Sequence, residues 1–418
     1  MRAIYLILIC FAAPVAALIA WSRGLRDSSR RERLADRFGR PQLSIRSPVL
    51  WVHAASMGEV QAGATLVGRM LADYPAHEIV LTTMTTTGAA RVRSLFKERV
   101  THCYLPYDLP FAVCGFLDRA RPQLGLILET ELWPNLLNEC SRRKVPVVIA
   151  SARISPRTAK RYRWLAGLFR GALREVVVAA QTETDAERFR SLGAKNIQVV
   201  GNIKFDIDIP DAGRNAGAKL REQFGNRFVW VAGSTHAGEE EAALVAHRKL
   251  PEQLRDALLI LVPRHPQRFD EVRNLLDKSG LSFVTRSSGI AVSESVSVLL
   301  VDSMGELLNY YAAADVAFVG GSLVRVGGHN LLEPAALGKP TLCGPYLFNS
   351  QDIADQMIEV GAARRVGSSD DLAQALAELS ISAELRTNIG KLGANLILAN
   401  RGAVSRVMDA VASAIRSN

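Results

Sequence analysis

The chain has 418 residues, 48% of them hydrophobic, and its 51 Lys and Arg against 41 Asp and Glu leave a formal net charge of +10. That length and apolar content suit two α/β domains plus an apolar segment, and the charge asks for an anionic partner: nucleic acid, a membrane surface or an acidic substrate. Cysteines 10, 103, 114, 140 and 343 are odd in number and scattered without a CxxC, which excludes the usual signatures of a disulfide framework or a cysteine metal site.

Residues 3–20 (AIYLILICFAAPVAALIA) carry no charge and reach about the minimum length of a membrane span, in which Pro14 is tolerable. The Ala-rich end also offers the small residues of a cleaved signal peptide. Only Arg2 precedes the segment, whereas Arg23, Arg26, Arg30, Arg31, Arg33, Arg37 and Arg40 follow it. The positive-inside rule therefore places everything after Trp21 in the cytoplasm and favours an uncleaved anchor over residues 1–22.

From Pro48 onward short β-type runs alternate with amphipathic segments. Strands are expected at 49–53, 78–83, 100–105, 123–128, 145–150, 175–180 and 196–200, with room for a helix in each gap, the pattern of a doubly wound parallel sheet. Residues 206–226 lapse into Asp, Gly, Pro and Asn and read as a linker. Alternation resumes at 228–232, 258–262, 281–284, 298–301, 316–319 and 341–343, followed by a helical C-terminus. The expected organisation is an anchor over 1–22, one Rossmann-like domain over 23–207 and a second over 208–418, with a ligand cleft between the two.

Several strands end in loops with chemistry. The first runs into His53-Ala54-Ala55-Ser56-Met57-Gly58-Glu59, where Glu59 either compensates a helix dipole or projects as a general base. The fourth ends in Glu129-Thr130-Glu131-Leu132-Trp133-Pro134-Asn135, two carboxylates at an i, i+2 spacing before a proline that fixes a helix start. Lys204, in Gly201-Asn202-Ile203-Lys204-Phe205-Asp206, stands just before the expected linker. In the second half, Gly233-Ser234-Thr235-His236 and Pro263-Arg264-His265 both suit the lining of a phosphate pocket. The stretch from Gly327 to Pro340 (GGHNLLEPAALGKP) follows a buried strand. Its two glycines let an anion approach the backbone at a helix N-terminus, and Glu333 is placed to accept from ribose hydroxyls. The same residues also read as an Asn330 N-cap with Glu333 as its capping-box partner. Asp206-Ile207-Asp208 adjoins no further acidic ligands and reads as linker rather than a metal site. Basic residues crowd positions 142–174, among them Arg157, Lys160, Arg161 and Arg163, with Tyr162 and Trp164 interleaved; such a run is either a solvated helix face or a dock for anionic lipid.

The ordered set HAASMGE, TTMTTTG, LPYDLP, ETELWPN, SARIS, GNIKFD, AGSTH, PRHPQRF, DSMGEL and GGHNLLEPAALGKP resembles the Kdo transferases, inner-membrane enzymes that add 3-deoxy-D-manno-octulosonic acid to lipid A precursors. The resemblance runs from the N-terminal segment to about Asn349. It implies a GT-B architecture, two Rossmann-like domains facing an interdomain cleft, the first for the acceptor and the second for the sugar nucleotide. It further implies Glu59 as catalytic base, Glu131 and Lys204 as transition-state stabilisers, and Pro263, Arg264, Met304, Gly305, Glu306, Asn330, Leu331, Leu332 and Glu333 as the residues that hold CMP. The chain departs from the family at Ala237, Leu347 and Ser350. No metal and no cofactor are expected. The implied partners are CMP-Kdo, lipid IVA and the inner leaflet of the inner membrane. Nucleic acid is not among them, since neither a helix-turn-helix nor an aromatic RNA-binding signature is present. The rival enzyme is a GT-B transferase for a UDP-sugar, which must neutralise a second phosphate.

Overall fold

The computed structural model describes residues 5, 6, 9, 33–164 and 166–416. Apart from Tyr5, Leu6 and Ile9, the expected anchor lies outside the described residues. Among the described residues no helix is long and apolar enough to cross a membrane. The chain divides into two compact units, one of Met1–Asp206 with Asn400–Asn418 and one of Ile207–Ala399.

Among its described residues, the first unit is built on a seven-stranded parallel sheet of β1 (Val49–His53), β2 (Glu78–Thr83), β3 (Thr101–Tyr104), β4 (Pro122–Leu128), β5 (Val147–Ala152), β6 (Val177–Ala180) and β7 (Asn196–Val199), in the order β3-β2-β1-β4-β5-β6-β7. Helices cover both faces, so central strands are apolar on each side. In β1, Val49 and Trp51 enter one core with Phe116, Ile127 and Phe189. Leu50 and Val52 enter the other with Leu66, Met70 and Leu126. The chain starts in the middle of the sheet at β1, winds outward one way through β2 and β3, then returns to β4 and winds the other way. That reversal between β1 and β4 opens a crevice at the carboxyl ends of the strands, the usual ligand position in such sheets.

The second unit repeats the plan with β8 (Val229–Thr235), β9 (Leu258–Pro263), β10 (Phe283–Thr285), β11 (Val298–Leu300), β12 (Val316–Val319), β13 (Thr341–Cys343) and β14 (Ala363–Arg365), ordered β10-β11-β9-β8-β12-β13-β14. Its reversal lies between β8 and β12. The edge strand β14 was not expected: it is three residues long, and two of them are exposed arginines.

Two expectations are corrected. Residues 206–226 are not an open linker, because Asp211–Phe224 is a 14-residue helix. Its glycines read as linker composition, but Gly217 serves close packing: a Cβ there would stand 2.3 Å from Ala312 Cβ and 2.9 Å from the Asn309 carbonyl oxygen. Gly217→Ala should therefore lower stability by about 1–3 kcal/mol, the range for overpacking, seen as a lower denaturant midpoint with an unchanged slope. The second correction is that the second unit does not run to residue 418. The helix Ala403–Arg416 returns to the first unit, where Val404, Val407, Met408 and Val411 complete one core beside Leu126 and Val148. Asp206 holds its start, accepting from the backbone N–H groups of Gly402 and Val404.

Candidate active site

In the first unit, the loops after β1 and β4 flank the crevice. Ser56 caps the helix Met57–Ala62: its Oγ accepts from the Glu59 N–H at 3.3 Å and donates to Glu59 Oε1 at 3.2 Å, while Glu59 Oε2 accepts from the Ala55 N–H at 2.6 Å. The capping interaction is thus made, yet it does not exhaust the role of Glu59. Burial raises its carboxyl to about pH 7, and the charges of Glu129 and Glu131 push the same way, against the hydrogen bonds from Ala55 and Ser56. A carboxylate poised near neutrality is suited to general-base work.

Glu131 is also raised, by burial and then by Glu129, while Trp133 Nε1 donates to its Oε2 at 2.8 Å. Glu129 stands at φ 57°, a left-handed conformation unusual for a non-glycine residue, and pairs with Lys204 Nζ at 3.1 Å. Glu59, Glu131 and Lys204 therefore gather at one place, around Glu129. The carboxylate bound to Lys204 is Glu129, which sequence reasoning noticed in its motif but did not assign to the site. The left-handed backbone at Glu129 turns its side chain toward Lys204, and no sequence pattern signals that.

In the second unit, three histidines meet beside Arg264. His236 follows β8, His265 follows β9, and His329 lies in the loop after β12. His236 Nε2 and His329 Nε2 are 2.8 Å apart with rings stacked at 5.1 Å, and His236 meets His265 edge to face at 5.3 Å. Burial lowers all three, helped by the Arg264 charge, and His329 falls to about 4. At neutral pH they are uncharged, so one ring N–H of the close pair donates to the other ring nitrogen. Arg268 pairs with Glu240 at 3.2 Å. Arg264 makes no ion pair among the described residues, which leaves its guanidinium available to an anion.

The glycine loop is shaped from beneath by buried Glu239, whose carboxylate accepts from the N–H groups of His236, Gly321, Ser322 and Leu323. Gly233 is required because a Cβ there would fall 2.2 Å from the Tyr311 hydroxyl. Asn330 and Glu333 do interact, Nδ2 to Oε1 at 3.2 Å, and Asn330 Oδ1 accepts from the Leu332 N–H at 3.1 Å. The helix they open, Leu332–Ala336, has only five residues. Its dipole is accordingly weak, and the positive character of this site comes mainly from Arg264 rather than from the expected helix end. Leu331 and Leu332 are buried core residues, and the Leu332 N–H is already taken by Asn330 Oδ1. Pro263 ends β9 and is buried. On the loop after β11, Met304 is 54% exposed, whereas Glu306 binds Ser303 Oγ and pairs with Arg286 at 3.3 Å. The sequence pointed to His236 and His265 as pocket residues; that His329 joins them, and that Glu239 clamps the loop, follows from strand order alone. Among the described residues no group of three or more His, Cys, Asp or Glu is arranged to hold a metal ion.

Residues 32–207 match the family profile described as 3-Deoxy-D-manno-octulosonic-acid transferase (kdotransferase). The 3-deoxy-D-manno-octulosonic acid transferase of Haemophilus influenzae is 39% identical over 415 residues, 98% of this chain and 97% of that protein. The protein of the same name from Bordetella pertussis is 36% identical over 427 residues, 98% of each. A glycosyltransferase from Rickettsia africae is only 12% identical yet superposes with a TM-score of 0.55 over 90% of this chain and all of its own, which marks the paired α/β units as GT-B-like in fold. Identity of this level along nearly the whole length, with the carboxylates and the cationic pocket both at strand ends, leaves one family: the chain belongs to the 3-deoxy-D-manno-octulosonic acid (Kdo) transferases.

Proposed function

We propose that this glycosyltransferase of lipopolysaccharide biosynthesis moves Kdo from CMP-Kdo to the lipid A precursor lipid IVA with inversion, and that Glu59 is its base. The observation that carries the proposal is the Glu59 carboxyl, raised to about 7 in a half-buried site beside Glu129 and Glu131. An acceptor hydroxyl loses its proton to Glu59 as its oxygen bonds to the anomeric carbon of Kdo. The bond from that carbon to the phosphate oxygen breaks, and CMP leaves with the electron pair. Charge on the departing monophosphate is met by Arg264 and by ring N–H groups of the histidines, a form of preorganised electrostatic stabilisation. The Glu131 carboxylate has the sign that stabilises the positive charge developing on the sugar, and Lys204 holds the neighbouring Glu129. One guanidinium and neutral imidazoles match one phosphate better than two, which favours CMP-Kdo over a UDP-sugar. The direct test is incubation with lipid IVA and freshly generated CMP-Kdo, with products read by mass spectrometry and the new anomeric centre by NMR. Transfer from a UDP-sugar instead would sink the proposal.

The same proposal places the enzyme on the cytoplasmic face of the inner membrane, held by residues 3–20. In support, Arg157, Lys160 and Arg161 are exposed on the helix Pro156–Trp164, and each such charge near an anionic surface contributes about 1 kcal/mol, screened by salt. Replacing the three by Gln in the full chain should raise KM for the lipid acceptor several-fold in anionic vesicles at low salt, leave kcat unchanged, and lose its effect at high salt. A salt-independent KM would make this helix only a solvated surface.

A further inference from the structure

The loop 344–350 follows β13, which lies parallel beside β12 with Val319 opposite Cys343. The loops after β12 and β13 therefore leave the sheet side by side at its carboxyl end, where the cationic pocket lies. Hydrogen bonds stitch them together. The Gly344 N–H donates to Ser322 Oγ at 2.8 Å, and the Tyr346 N–H to the Ser322 carbonyl at 2.9 Å. Asn349 donates twice, from its N–H to the Gly327 carbonyl and from Nδ2 to the Val326 carbonyl, both at 3.1 Å.

This strap accounts for the two glycines that open GGHN. A Cβ on Gly327, at φ 110°, would stand 2.5 Å from Phe348 Cε2, and one on Gly328, at φ 76°, would stand 2.8 Å from Leu347 Cδ2. Their N–H groups both donate to the Gly321 carbonyl, at 3.0 and 2.7 Å. The glycines thus admit the strap, where the sequence suggested the approach of an anion. The two side chains that cover them differ in one respect. Leu347 is buried, whereas Phe348 is 63% exposed. Its ring touches the Gly327 backbone on one side and leaves most of its surface open. Gly321 ties this ring to the pocket, since the His329 ring lies 2.9 Å from where a Gly321 Cβ would stand. A large apolar side chain left open beside a polar ligand pocket calls for an occupant.

We propose that Phe348 is the platform for the donor sugar, its open ring packing against the C3 methylene of Kdo while the phosphate sits at Arg264. The inference rests on the function proposed above and names a residue that sets its choice of sugar. A 3-deoxy sugar carries a methylene where most sugars carry a hydroxyl, next to the anomeric carbon that bears the phosphate. That methylene gives the sugar an apolar side close to the phosphate, which an aromatic ring can cover at no polar cost. A hydroxyl in the same place would lose its water against the ring and find no partner there.

The test compares KM for freshly generated CMP-Kdo with the affinity for CMP, which lacks the sugar, measured by calorimetry. Phe348→Ala should raise KM for CMP-Kdo roughly tenfold, the low end of the range for a lost apolar contact. CMP affinity, kcat and KM for the lipid acceptor should stay as in the wild type, the signature of lost uniform binding to the donor sugar. Phe348→Leu, apolar but not flat, should behave like Phe348→Ala, and Phe348→Tyr, which keeps the ring, like the wild type. A residue that only holds the glycine loop would move CMP affinity and KM together, and that result overturns the proposal. An unchanged KM for CMP-Kdo in Phe348→Ala overturns it too, as does a rise confined to KM for the lipid acceptor. A wild type that binds CMP without turning over CMP-Kdo would sink the functional reading and the platform with it. With turnover in the wild type, the Phe348 series judges the platform alone.

Discussion

Glu59→Gln is expected to reduce turnover by roughly 10²–10⁴-fold, the usual worth of a positioned general base, with CMP affinity nearly unchanged because the nucleotide pocket stands on other residues. Gln keeps the shape and can still accept from the Ala55 N–H, so the helix start at Met57 should survive. The wild-type profile of kcat/KM should rise with pH through about 7, where Glu59 loses its proton, and the residual activity of Glu59→Gln should lack that limb. Stability should move the other way. The folded carboxyl titrates near 7 and an unfolded Glu at about 4.3; between these values the folded state holds more protons, so stability falls as pH rises, and above 7 the full cost of burying the charge is present. Glu59→Gln should therefore gain stability relative to wild type at pH 8 and not at pH 4, read by thermal melts at both. Wild-type-like turnover in a folded Glu59→Gln would leave Glu59 as a capping residue only.

Arg264→Ala is expected to weaken CMP binding by roughly 10- to 100-fold, the range for a charge-assisted bond to phosphate, while leaving the chemistry at Glu59 in place. Glu333→Ala should weaken it less, since the proposed role of that side chain is to meet sugar hydroxyls rather than phosphate, and its loss also frees Asn330. Titration calorimetry decides both, and unaltered CMP affinity in Glu333→Ala would reduce Asn330 and Glu333 to a helix cap. The histidines add a pH signature. His329 and His236 are lowered in the free protein, and a bound monophosphate dianion raises them again. CMP binding should take up protons below about pH 6.5, so affinity should grow as pH falls through that window. Calorimetry in buffers of different ionisation enthalpy measures the uptake directly, and its absence would place the histidines away from the phosphate.

Much of this protein was legible in its sequence because short apolar strands with room for crossover helices admit few arrangements. Strands 49–53, 78–83, 316–319 and 341–343 fall at the expected residues, since each is a run of residues that a two-sided parallel sheet must bury. The motifs placed Glu59, Glu131, Lys204 and Arg264 at strand ends for the same reason. Tertiary structure decided what depends on contacts between distant residues. Gly217 looks like part of a linker in sequence, and only the nearness of Asn309 and Ala312 shows that its missing side chain lets two helices meet. Composition assigns the helix Ala403–Arg416 to whatever precedes it, yet its apolar face fits a core made by residues between Leu50 and Ile203. The pairing of Lys204 with Glu129 and the three-histidine cluster beside Arg264 likewise join residues tens of positions apart. Local propensity and periodicity reach only a few residues along the chain, whereas these sites are set by strand order, and strand order exists only once the sheets have formed.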